Sequence, residues 1–110
     1  MQAMLKLLGA FSVATLLLGQ TPEADFSNAE HLFRLDNYAK ARPYWLKAER
    51  GYAARRDFVR ATWARVSRLR GDSETVLSYP VVSQEMARLL DTPLVQKHPE
   101  LRLRCLVVKG

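Results

Sequence analysis

The chain has 110 residues, 48% hydrophobic and 25% charged, which suits one small globular domain and leaves no room for a second. Its net charge of +6 favours acidic partners, whether protein, nucleic acid or anionic lipid. The single cysteine, Cys105, excludes an intramolecular disulfide, and its helical spacing with Leu101 and Val108 marks it as a small buried hydrophobe.

The first twenty-four residues read as an address. Lys6 gives a basic start, Leu7 to Leu18 is an uncharged apolar run, and Gly19, Gln20, Thr21 and Pro22 break it. That order describes a secretory signal peptide, and the run is too short for the roughly 20 residues of a membrane span. Cleavage is expected after Gly19 or after Ala24. Gln20 stands where a lipoprotein would carry its lipidated cysteine, so no lipid anchor is expected.

Residues 25–110 then form the domain. A first helix is expected over Phe26 to Leu35, capped by Ser27 or Asp25, with Phe26, Ala29, Leu32 and Phe33 on its apolar face. A tight turn at Leu35-Asp36-Asn37 leads to a second helix from about Asn37 to Arg50. Pro43 must either bend this helix or delay its start. The third helix, Asp57 to Arg70, places Phe58, Val59, Thr62, Trp63, Val66 and Leu69 on one face. Arg56, Arg60, Arg65 and Arg68 fall on the other, with Ala61 and Ala64 among them. Gly71-Asp72 is expected to end it in a turn.

Ser73 to Leu90 has helical spacing at Val76, Leu77, Val82, Met86, Leu89 and Leu90, although Thr75 to Val82 could pass for a strand. Pro80 fits a helix start better than a central strand. Asp91-Thr92-Pro93 stops this segment, and His98-Pro99-Glu100 opens a last one, Leu101 to Lys109. There Leu101-Arg102-Leu103-Arg104 alternates like a strand, and periodicity alone leaves the choice open.

The turns at Asp36, Gly71 and Gly110 are thirty-five and thirty-nine residues apart, and Ala29 and Ala64 each stand seven before their turn. A unit of that length made of two helices predicts an all-α fold, an α-solenoid of antiparallel helical hairpins. Residues 26–55 resemble a tetratricopeptide repeat (TPR). The family's small residue in helix A, its turn and aromatic, and its small-aromatic-small series in helix B correspond to Ala29, Asp36-Asn37-Tyr38, Ala41, Trp45 and Ala48. Asp36 replaces the family's usual turn glycine, and its closing proline is missing. The resemblance implies about two and a half repeats, near 26–56, 57–92 and a partial 98–110. The second unit matches at Ala64, Arg70-Gly71-Asp72 and overall length.

Catalysis finds no support in the residues. Neither His31 nor His98 has a Cys or carboxylate at metal-ligand spacing, and there is no nucleophile motif or glycine-rich phosphate loop. No catalytic residue, metal or cofactor is expected. The basic side chains are the functional feature: from Arg34 to Arg70 there are eleven basic residues and three acidic ones. In a TPR-like stack, helix A lines a concave groove, which would carry Glu30, Arg34, Arg65 and Arg68, with Arg60 nearby. Arginine forks bind carboxylates bidentately, so the expectation is a non-enzymatic scaffold for a peptide or acidic protein partner. The signal segment places it in the periplasm of a bacterium or outside the cell. A basic helix-turn-helix nucleic-acid binder is the alternative, as is the truncated repeat arm of a larger enzyme or sensor. The apolar half-unit Leu101 to Val108 also leaves room for self-association.

Overall fold

The computed structural model describes residues 21–75 and 77–110, and among them are six helices. They are α1 (Pro22–Arg34), α2 (Tyr38–Ala54), α3 (Phe58–Thr75), α4 (Tyr79–Leu90), α5 (Pro93–Gln96) and α6 (Pro99–Lys109). The fold is all-α, with sequential helices packed antiparallel against their neighbours. Most of the expected signal segment, through Gln20, lies outside the described residues, as does Val76. No helix among the described residues is long and apolar enough to cross a membrane.

Helix α1 begins four residues earlier than its apolar spacing indicates. Thr21 is the cap: its Oγ1 accepts from the Ala24 amide at 3.1 Å, and Pro22 occupies the first turn, where a missing amide is harmless. Glu23 and Asp25 sit at the positive end of the helix dipole, and Arg34 at the negative end.

The same turn then recurs. After α1, the Asn37 amide donates to the Leu32 carbonyl at 2.9 Å and the Asp36 amide to Phe33 at 3.0 Å. After α2, Asp57 donates to Tyr52 and Arg56 to Ala53, both at 2.9 Å. Each is a Schellman closure with a left-handed residue, Asp36 at φ 58° and Arg56 at φ 59°. The next residue caps the following helix, Asn37 Oδ1 accepting from Lys40 and Asp57 Oδ1 from Arg60. Pro43 lies inside α2 on its exposed side, and the helix continues through it to Ala54.

Small residues let α1, α2 and α3 approach closely. Ala29, Ala41 and Trp45 pack between α1 and α2, the Phe33 and Trp45 rings 5.3 Å apart. Ala48, Tyr52, Ala61 and Ala64 pack between α2 and α3. Ala61 and Ala64 are therefore core residues rather than part of an outer arginine face, and Phe58, expected inside, is half exposed. The third helix is buried on two sides. Its other side, through Val66 and Leu69, joins Val82, Met86, Leu89, Val95, Leu101, Cys105 and Val108 in the largest core, so Cys105 is buried as expected.

The expected turn at Gly71-Asp72 is absent, and α3 runs on to Thr75. Gly71 serves close packing: a Cβ there would stand 2.3 Å from Cε2 and 2.6 Å from Cδ2 of Tyr38. Asp72 is fully buried and paired, as described below. The fourth segment is helical from Tyr79, with Pro80 in its first turn, and Leu101 to Lys109 is helix rather than strand. Helix α5 was not expected. It is a single turn capped by Thr92, whose Oγ1 accepts from the Val95 amide.

Candidate basic groove and aromatic cleft

The side chains singled out in the sequence separate into three places. Glu30 and Arg34 remain on α1. Glu30 accepts from the indole Nε1 of Trp45 at 3.3 Å, which locks a core ring, and Arg34 is exposed at the end of the helix. Arg60 lies at the start of α3 in a cleft of about 340 Å³ with Phe26, Tyr52, Val59, Trp63 and Glu100. Its guanidinium is 6.0 Å from the centre of the Tyr52 ring, and a weak ion pair at 3.6 Å joins it to Asp57.

Arg65 and Arg68 come together in a groove between α3 and α4 of about 510 Å³. Leu69, Leu77 and Val81 give it apolar walls, and Gln84, Glu85 and Arg88 of α4 complete it. Helical geometry sets this up, because Arg65, Arg68 and Leu69 lie one turn apart on α3, as do Val81, Gln84, Glu85 and Arg88 on α4. Arg65 Nη2 donates to Glu85 Oε1 at 2.6 Å. Arg88 grips the same carboxylate with a fork, Nε to Oε2 at 3.0 Å and Nη2 to Oε1 at 2.5 Å. The Arg88 hydrogen bonds, helped by the charge of Arg65, hold the Glu85 carboxyl below the usual glutamate range against the opposing effect of burial.

Arg68 forms the inner wall of the groove and is engaged behind it. It reaches Asp72 Oδ2 at 3.2 Å and Glu49 Oε1 at 3.6 Å, while Arg42 of α2 donates from Nε to Asp72 Oδ1 at 3.1 Å. Asp72 thus ties α2 to α3 from inside the fold. Burial pushes its carboxyl up to about 6 even with two guanidiniums beside it. Burial also draws the Arg68 guanidinium below the ordinary arginine range, partly offset by Glu49.

Sequence reasoning found Arg65 and Arg68 but missed Arg88, Glu85, Arg42 and Asp72. Two signals were present: Asp72 follows Arg68 by four residues, and Arg88 follows Glu85 by three. Treating Asp72 as a turn residue hid the first, and nothing local announces that α4 packs its Glu85 against α3.

The two tryptophans are engaged. Trp45 is buried and bonded to Glu30, and Arg104 lies 5.5 Å above the centre of the Trp63 ring while Arg104 Nη2 donates to Ser67 Oγ at 3.4 Å. Among the described residues there is no group of three His, Cys, Asp or Glu side chains placed to hold a metal ion. Comparison finds no protein-family model that matches the chain, and no curated protein or solved structure similar to it.

Proposed function

We propose that this chain is an exported, TPR-like helical-hairpin scaffold that binds an acidic segment of a partner protein in the α3–α4 groove. One observation carries the reading: Arg65 and Arg88, from two different helices, converge on a single carboxylate beside apolar walls. Forked guanidiniums give an acidic group both affinity and orientation, and Leu77 and Val81 offer contact to the apolar residues beside it. The recurring Schellman turn and the antiparallel neighbours support the helical-hairpin part of the reading. Burial of Trp45, bonded to Glu30, removes one of the two tryptophans from any stacking nucleic-acid surface.

The test is fluorescence anisotropy of a labelled peptide of alternating glutamate and leucine, with a neutral peptide and duplex DNA as controls. Binding is expected for the acidic peptide, and Arg65→Gln/Arg88→Gln should weaken it by about tenfold or more. Arg68 is left intact because its partners are structural. Equal affinity of the double variant would reject the groove. Tighter binding of duplex DNA than of peptide would favour the nucleic-acid alternative.

A further inference from the structure

We propose that Glu85 is a built-in competitor in this groove: its carboxylate occupies the position taken by the acid group of a bound segment, and the ligand must displace it. The inference rests on the acidic-segment reading and adds what fills the site before the partner arrives.

The geometry is that of a bound ligand. Oε1 accepts from Arg65 Nη2 at 2.6 Å and Arg88 Nη2 at 2.5 Å, and Oε2 accepts from Arg88 Nε at 3.0 Å. Two cations from separate helices therefore share one anion. Without that anion they would face each other as like charges, so an external carboxylate is favoured where the internal one is removed. The third cation, Arg68, already has Asp72 and Glu49 as counter-ions and keeps its place when the contents of the groove change.

Only one of the two holds on Glu85 is weak. It pairs with Arg88 three residues on along one helix, and the Arg88 side chain is 57% exposed, so this contact is solvated and contributes little. That leaves the Arg65 bond at 2.6 Å as the one a ligand must replace. An external carboxylate forms equivalent bonds, and apolar residues beside it add contacts to the Leu77 and Val81 walls of the groove. Exchange then favours a segment that is both acidic and apolar. Glu85 raises the threshold by lowering the fraction of protein that is competent to bind.

The experiment titrates the same labelled glutamate–leucine peptide into the wild type, Glu85→Asp and Glu85→Gln, with folding checked by circular dichroism. Glutamine keeps the shape and removes the charge. Aspartate keeps the charge but shortens the reach to Arg65. Affinity should rise in the order wild type, Glu85→Asp, Glu85→Gln, by about tenfold overall, and adding Arg65→Gln should cancel the gain. Binding by Glu85→Gln alone also supports the competitor. If the wild type binds and neither variant binds more tightly, Glu85 merely positions the arginines and the proposal is wrong while the acidic-segment reading stands. If no form binds the peptide, that reading fails and takes the proposal with it.

Discussion

Gly71→Ala separates a helix-interior packing glycine from a helix-ending one. In an unobstructed helix the change should stabilise, by about 1 kcal/mol of backbone propensity. Here the new Cβ would lie 2.3 Å from Cε2 of Tyr38 and 3.2 Å from Cζ3 of Trp45, so the Tyr38 ring has to move. That ring has little room, because it packs against Trp45 at a centroid distance of 6.3 Å. Overpacking of this kind costs about 1–3 kcal/mol, so the net expectation is a loss of about 1 kcal/mol, seen as a fall of about 5 °C in melting midpoint. The assay is thermal and urea unfolding of wild type, Gly71→Ala, Tyr38→Ala and the double variant. In the Tyr38→Ala background the alanine should become neutral or stabilising, giving a coupling of about 1 kcal/mol or more. A Gly71→Ala protein as stable as wild type, or an equal loss in both backgrounds, would refute the close approach of α2 and α3 at this point.

Further expectations follow from single contacts. Arg56 holds a left-handed backbone at φ 59°, so Arg56→Gly should stabilise by about 1 kcal/mol in urea melts, and Asp36→Gly by less because aspartate tolerates that region better. The buried Asp72 carboxyl, at about 6 against 3.8 as its reference, binds its proton more readily in the folded state than in the unfolded one. Its contribution to stability therefore rises as pH falls through about 6. Wild type should gain on Asp72→Asn over that window, and a pH-independent difference would contradict the assignment. Cys105 is fully buried and burial pushes its thiol up, so iodoacetamide should modify it only after unfolding. If the chain is exported, its mature N-terminus should be Gln20, read from the intact mass. Cleavage after Ala24 would remove the Thr21 cap, the buried Pro22 and the Glu23–Arg55 ion pair.

The parts of the fold that were legible in the sequence are those with local causes. Ala29, Ala41, Trp45 and Ala48 mark a close helix pair by spacing alone, and Leu35-Asp36-Asn37 marks its turn. The misreadings arise where a residue type has two uses. Gly71 looks like a helix stop, yet it is small so that Tyr38 can lie against it. Ala61 and Ala64 carry too little hydrophobic signal to outweigh the arginines around them, yet they are what allows α2 to reach α3. Of the candidate site, Arg65 and Arg68 were legible as cations on one helix. Glu85 and Arg88 belong to a helix whose pairing with α3 depends on the shared core of Val66, Leu69, Val82 and Met86, and that tertiary fact has no local trace. Helix α5 is a single turn, too short for periodicity to reveal.

The central claim, an acidic segment seated between α3 and α4, is tested most directly by NMR of the nitrogen-15 labelled protein during titration with the glutamate–leucine peptide. The Arg88 Nε–H signal and the backbone amides of Val81, Gln84 and Glu85 should shift together and saturate at one affinity, with the Trp63 indole unmoved. Shifts centred instead on Trp63 and Tyr52 would place the ligand in the aromatic cleft and contradict the account.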